Sequence, residues 1–119
     1  MSSQKATVQR YTDGFRSGDL AQLVSCLTED VVWALHGAKT LRGRDAFAAE
    51  ADSAGGPIPE LHLDRLIEEG DTVAVVGHGR VDMGTGPVDF VYSEVFTFTA
   101  GLVSRLDTFH VWLAEVSAA

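Results

Sequence analysis

A single carboxylate interrupts an otherwise aromatic and aliphatic row of side chains near the end of the sequence. The segment 88–99 alternates with a period of two, as a β-strand does, and this period sorts its side chains onto two faces. One face carries Glu94 among Val88, Phe90, Tyr92, Phe96 and Phe98. The aromatic set should face the core, where an ionised carboxylate is unfavourable unless it is paired. We therefore expect Glu94 to be protonated or hydrogen-bonded.

Two further strands carry polar side chains that alternation assigns to faces. In 102–113, His110 shares a face with Leu106, Thr108 and Trp112, whereas Asp107 lies on the opposite face. In 72–82, Gly77 and Gly79 share a face with three valines, and glycines on an inward face would leave space for a ligand. The same alternation turns the polar residues of this strand outward, namely His78, Arg80 and Asp82.

The elements that position these residues follow from periodicity and turn signals. Val8, Tyr11 and Phe15 form one stripe of an amphipathic helix over 4–17, and Asp19 begins a second helix as a capping residue. We predict a third helix over 46–51 and a loop over 52–59. The predicted strands are 31–35, 61–68, 72–82, 88–99 and 102–113. The last four are linked by short turns and should form an antiparallel meander, which favours an α+β domain with its helices on one face of the sheet.

Composition limits the class of protein. The 119 residues fit one domain, 1–119, and their 45% hydrophobic content is enough for a core. The net charge of −8 would repel a nucleic acid backbone, and we expect no nucleic acid partner. No apolar leader or membrane-length run occurs, so we expect a cytoplasmic protein that does not bind membranes.

Several kinds of site find no support in the sequence. No pair of histidines has the helical spacing of a metal site, so no metal is expected. Neither a glycine-rich phosphate loop nor a serine nucleophile motif is present, and Cys26 is the only cysteine. His62 and His78 fit surface or interface positions. No cofactor is implied.

Five segments resemble the nuclear-transport-factor-2-like superfamily, and most closely its SnoaL-like polyketide cyclase and ketosteroid isomerase branch. They are YTDGFRSGDL (11–20), LTEDVVW (27–33), LRGRDAF (41–47), EGDTVAV (69–75) and FTAGLV (98–103). The resemblance implies a cone: a curved antiparallel sheet, wrapped by three N-terminal helices, that encloses a ligand cavity. It also implies a homodimer formed through the convex side of the sheet.

The resemblance assigns roles to several residues. Glu94 falls where ketosteroid isomerases keep a protonated acid, and Tyr11 falls where they keep its partner tyrosine, so the two would hydrogen-bond an enolate oxygen. The general base of those enzymes aligns with Leu35, which cannot accept a proton. His36, the next residue, or His110 could serve instead, and a hydrogen bond between Glu94 and His110 would form an acid–base pair. The expected pocket lining comprises Phe15, Trp33, Leu35, Val75, Gly77, Tyr92, Phe96, Thr108 and Trp112.

Three functions remain open at this point. The first is a cofactor-independent isomerase, cyclase or dehydratase that moves a proton on an apolar carbonyl compound. The second is a non-catalytic dimeric protein that binds a small hydrophobic ligand, which the loss of the acid at Leu35 favours. The third is an accessory subunit without a pocket. Each candidate residue also has a structural interpretation, as a core side chain with its polar group satisfied or, for His36, as a loop residue.

Overall fold

A computed structural model describes residues 2–52 and 59–113, which form three helices and six strands. The elements are α1 (Ser3–Ser17), α2 (Leu20–Val24), β1 (Leu27–Leu35), β2 (Lys39–Arg42), α3 (Arg44–Asp52), β3 (Glu60–Glu69), β4 (Thr72–Asp82), β5 (Pro87–Thr99) and β6 (Leu102–Trp112). The strands form one curved, unclosed sheet in the order β2-β1-β6-β5-β4-β3. The predicted α+β class is confirmed. Within the predicted loop 52–59, Asp52 ends α3 and 53–58 lie outside the described residues.

Helix α1 carries Tyr11 across the sheet. The helix begins after Ser2, whose hydroxyl accepts the backbone N–H of Lys5, and ends before Gly18, which adopts a left-handed φ of 72°. The predicted cap at Asp19 is confirmed, because its carboxylate accepts the N–H of Gln22. Within the described residues, no helix is long and apolar enough to span a bilayer.

The predicted meander is confirmed as β3 to β6, which pair antiparallel in succession. Strand β1 pairs with β6 in parallel, and this places Leu35 beside Thr108. Two strand predictions need correction. Strand β1 begins at Leu27, four residues earlier than predicted, through a polar and partly exposed stretch. Strand β2 was not predicted, because its four residues are mostly exposed and pair only with β1 at the sheet edge.

The core lies where the helices meet the middle of the sheet, and it is largely aromatic. Phe47 of α3 stacks on Trp33 of β1 with ring centroids 4.2 Å apart. The Tyr11 ring packs edge-on against Phe96 at 5.2 Å and against Phe47 at 6.0 Å. Such pairs each add about 0.5–1.5 kcal/mol beyond the burial of their area. This cluster fixes α1 and α3 over the strands that carry the polar side chains of interest.

The two glycines of β4 face inward as predicted, but they do not leave space for a ligand. A Cβ at Gly77 would lie 2.6 Å from the Tyr92 ring, and one at Gly79 would lie 2.5 Å from the Phe90 ring. The two rings therefore occupy the space that larger side chains on β4 would fill. The prediction that Gly77 lines a pocket is wrong for this reason.

Candidate active site

Glu94 lies in the middle of β5 on the concave face of the sheet. It pairs with Val75 of β4 on one side and Thr108 of β6 on the other. Its neighbours two residues away on the same face, Tyr92 and Phe96, are buried. The predicted orientation of this row is confirmed. Glu94 itself keeps part of its surface exposed to solvent.

A chain of hydrogen bonds holds the Glu94 carboxyl. The indole Nε1 of Trp33 donates to Oγ1 of Thr108 over 2.9 Å, and Oγ1 of Thr108 donates to Oε2 of Glu94 over 3.0 Å. The two donors stand on β1 and β6, which the parallel pairing brings side by side. One carboxyl oxygen is therefore fixed to the sheet by its neighbours.

The surroundings of Glu94 disfavour its charge. Burial raises the pKa of the Glu94 carboxyl to about 7, although the hydrogen bond from Thr108 acts in the opposite direction. A carboxyl with this pKa exchanges its proton near neutral pH, which suits a general acid or base. The expected hydrogen bond is present, and the raised pKa favours the protonated carboxyl below about pH 7.

Tyr11 stands over the same region from helix α1. Its side chain is buried, and burial together with the nearby Glu94 carboxylate raises the pKa of its phenol well above the ordinary value. Among the described residues its hydroxyl has no hydrogen-bond partner. A neutral phenol of this kind can act only as a hydrogen-bond donor or acceptor, because ionisation is suppressed.

His110 shares the concave face with Glu94 but does not bond to it. It pairs with Tyr92 in the register, and its ring lies between Phe90 and Trp112 at centroid distances of 4.5 and 4.4 Å. The predicted Glu94–His110 hydrogen bond is absent from the described residues, because Thr108 occupies the position opposite Glu94. Partial burial lowers the pKa of the His110 imidazole, so the neutral ring is favoured near pH 7.

His36 lies on the convex face, away from Glu94. Its Nε2 is 2.9 Å from Oδ1 of Asp107, and its ring stacks on Phe109 at 4.4 Å. Arg105 also donates to Asp107, and this hydrogen bond, with a smaller effect of His36, lowers the pKa of the carboxyl. The predicted outward orientation of Asp107 is confirmed. The structure separates His36 from the concave face, because the chain turns outward at the end of β1.

The residues predicted to line a pocket divide into two groups. Val75 and Phe96 have no exposed surface and belong to the core beneath the carboxyl, and Trp33 is almost fully buried. Phe15 and Leu35 pack against the core and keep part of their surface exposed. Thr108 is also partly exposed, and Trp112 is half exposed. Five of the nine predicted lining residues are thus buried, namely Trp33, Val75, Gly77, Tyr92 and Phe96.

Open grooves lie elsewhere on the surface. One of about 520 Å³ runs between α1 and β3, and its lining is polar: Gln9, Asp13, Arg16, His62, Leu63, Asp64 and His78. His62 and His78 are exposed there, and their rings stack at 4.7 Å. Within residues 2–52 and 59–113, no three His, Cys, Asp or Glu side chains are grouped to hold a metal ion. The walls of this groove are mainly polar, whereas an apolar ligand needs apolar walls.

Thr108 is the residue of the candidate site whose contacts the sequence pattern predicts least well. It was predicted only as pocket lining, yet it holds the carboxyl of Glu94 and receives the hydrogen bond of Trp33. A signal for this arrangement exists in the sequence, because a buried indole N–H needs an acceptor. The identity of that acceptor depends on the parallel pairing of β1 with β6, which local patterns do not predict.

The comparisons with known proteins support the fold. The SnoaL-like domain profile matches residues 8–106. No curated protein sequence matches significantly. Among solved structures, an NTF2-like protein of unknown function from Burkholderia pseudomallei superposes with a TM-score of 0.85 at 23% identity, covering 93% of this chain and 92% of its own. A candidate ketosteroid isomerase from Kribbella flavida superposes with a TM-score of 0.79 at 23% identity, covering 95% of this chain and 81% of its own. An LEH-like epoxide hydrolase from M. tuberculosis superposes with a TM-score of 0.83 at 18% identity, covering 92% of this chain and 83% of its own.

The raised pKa of Glu94 predicts how stability depends on pH. An unfolded glutamate titrates at about 4.3, so between about pH 4.3 and 7 the folded protein holds a proton that the unfolded chain has lost. The free energy of unfolding should therefore fall as pH rises through this window. Glu94→Gln has no carboxyl at this position, so its free energy of unfolding should not fall in this way. From pH 5 to pH 8 the free energy of unfolding of the variant should therefore rise by roughly 2–3 kcal/mol relative to that of wild type.

Urea denaturation of both proteins at a series of pH values measures this difference. Glu29→Gln removes one exposed carboxyl from the same sheet and controls for the change in net charge. Curves for wild type and Glu94→Gln that run parallel from pH 5 to 8 would contradict the assignment.

Proposed function

Because the chain belongs to the SnoaL-like family, we propose that it binds an apolar carbonyl compound on the concave face and moves a proton at the carbon next to the carbonyl. Isomerisation, aldol-type cyclisation and dehydration all begin in this way. The observation that carries the proposal is a single carboxyl, Glu94, held in an apolar row with its pKa raised to about 7. The relatives named above are similar in fold, and their chemistry does not transfer on that ground alone.

The proposed roles follow from charge and geometry. Protonated Glu94 donates a hydrogen bond to the carbonyl oxygen of the ligand, and Tyr11 is the second donor from helix α1. Neutral His110 accepts the proton from carbon. It stands two residues along β6 from Thr108, the residue opposite Glu94, and diagonal neighbours of this kind have Cα atoms about 7–8 Å apart. A ketone lying between the two side chains can reach both.

The missing hydrogen bond between Glu94 and His110 is compatible with these roles. Since neither group is occupied by the other, each can face the ligand. His36 has no part in the proposed chemistry, because its ring stacks on Phe109 on the opposite face of the sheet.

Exchange of carbon-bound hydrogen for deuterium tests the proposal without knowledge of the natural reaction. We expect wild type to accelerate exchange next to the carbonyl of a bicyclic ketone such as 2-decalone in D₂O, as followed by NMR. Glu94→Gln should slow the catalysed exchange about 100-fold or more, the usual contribution of an acid–base group. His110→Ala should slow it as well, whereas the exposed control Glu29→Gln should match wild type.

Catalysis by Glu94→Gln at the wild-type rate would contradict the proposal. The alternative function, a non-catalytic binder of a small hydrophobic ligand, is favoured by one observation: Leu35 stands on β1 where the resemblance places the catalytic base. It predicts that the ketone binds and that wild type does not accelerate exchange.

We also propose a homodimer formed through the convex face. Four apolar side chains on neighbouring strands of this face are exposed: Val76, Val91, Phe109 and Val111. Val91 pairs with Val111, and both Val76 and Phe109 pair with Ser93, two residues along β5 from Val91, so the four side chains are neighbours across β4, β5 and β6. A contiguous apolar patch of this kind is typical of an association surface.

Light scattering tests the dimer. Wild type should show twice the chain mass of 12.7 kDa, and Val91→Asp should return the mass to that of one chain, because it places a charge in the middle of the patch. Leu102→Asp, at the exposed end of β6, is the matched control and should remain a dimer. A mass of one chain for wild type would overturn this proposal.

A further inference from the structure

The two oxygens of the Glu94 carboxyl are in different situations. Oε2 accepts the Thr108 hydroxyl at 3.0 Å. Within the described residues Oε1 makes no hydrogen bond. The difference matters because a carboxyl that both binds a carbonyl oxygen and keeps a structural hydrogen bond needs one oxygen for each task.

Trp33 sets the direction of the two hydrogen bonds that lead through Thr108 to Glu94. An indole N–H can only donate, so Oγ1 of Thr108 must accept it. The Thr108 hydroxyl then has its own hydrogen to place, and within the described residues its remaining partner is Oε2 of Glu94. The arrangement that satisfies all three groups therefore makes Oε2 an acceptor.

Packing and strand pairing support the two residues that donate along the hydrogen-bond chain to Glu94. Trp33 is almost fully buried, and its ring stacks on Phe47 at 4.2 Å. Thr108 is paired with Glu94 on one side and Leu35 on the other within the sheet. The indole of Trp33 cannot turn away from Thr108 without disturbing its stacking on Phe47.

We propose that Trp33 and Thr108 are positioning residues that keep Oε2 of Glu94 as an acceptor and leave Oε1 to carry the proton toward the ligand. This inference rests on the proposed function, in which Glu94 donates to a carbonyl oxygen. It adds that the group presented to the ligand is a single oriented O–H. The ligand atom that it recognises is then a neutral hydrogen-bond acceptor.

NMR titration of the Glu94 carboxyl carbon tests the roles of Trp33 and Thr108 without any substrate. Thr108→Val should raise the pKa of Glu94 by at least about half a pH unit, because a hydrogen bond to the charged form is lost. Thr108→Ser keeps the hydroxyl and should titrate near wild type. Trp33→Phe should raise the pKa by a smaller amount, because the indole strengthens the Thr108 hydroxyl as a donor.

The double variant separates positioning from packing. If Trp33 acts through Thr108, then Trp33→Phe should leave the pKa of Glu94 unchanged in a Thr108→Val background. An equal effect of Trp33→Phe in both backgrounds would overturn its positioning role. Should Thr108→Val fail to fold, Thr108→Ala removes the same hydroxyl, and a pKa at the wild-type value in that variant would overturn the role of Thr108.

The ketone exchange assay is independent of this titration. If the titrations follow the expected pattern and no exchange is catalysed, the orientation of Glu94 is supported and the proposed chemistry is not. If exchange is catalysed and the pKa does not respond to Thr108, the proposed function stands and this inference fails.

Discussion

The cost of removing the Glu94 carboxyl from water is the constraint on which the rest of the structure depends. The carboxyl lies on a face that is otherwise aromatic and aliphatic, and burial raises its pKa to about 7. The fold meets this cost with one hydrogen bond from Thr108, which Trp33 supports from the neighbouring strand. The compensation is partial, because the pKa remains raised, and a carboxyl in this state is poised to gain or lose a proton near neutral pH.

The sheet order brings the hydrogen-bond partners of Glu94 together. Strands β1 and β6 pair in parallel, and this pairing brings the indole of Trp33 within reach of Thr108. On the other side, the glycines of β4 allow the Tyr92 and Phe90 rings to lie flat over the sheet. The Tyr92 hydroxyl donates to the backbone oxygen of His62 on β3, and Trp112 on β6 is half exposed. Strands thus hold Glu94, Thr108 and Trp33, and helix α1 holds Tyr11.

Much of the fold could be predicted from the sequence, because two-residue alternation and glycine turns are local signals. The four-strand meander and the inward orientation of Glu94 were correct for this reason. Strand β2 was missed because its side chains are mostly exposed and carry no alternation. The predicted cavity over Gly77 was wrong because a missing Cβ can be filled by a ring from the next strand, which alternation does not reveal.

The candidate site was predictable only in part. Glu94 could be found as a polar residue in an apolar row, whereas its hydrogen bond from Thr108 depends on which strands become neighbours. His36 was placed in the site because it follows the strand that carries Trp33, but a residue at a strand end can turn to either face. Its ring packs on the convex side, where Phe109 and Asp107 hold it.

The most direct test of this account is a crystal structure of the protein with 2-decalone bound. The account predicts that the ketone lies on the concave face with its oxygen within about 2.6–3.2 Å of Oε1 of Glu94, while Oε2 keeps its bond to Thr108. A structure in which side chains close the space beside Glu94 and the ketone binds only elsewhere would contradict it.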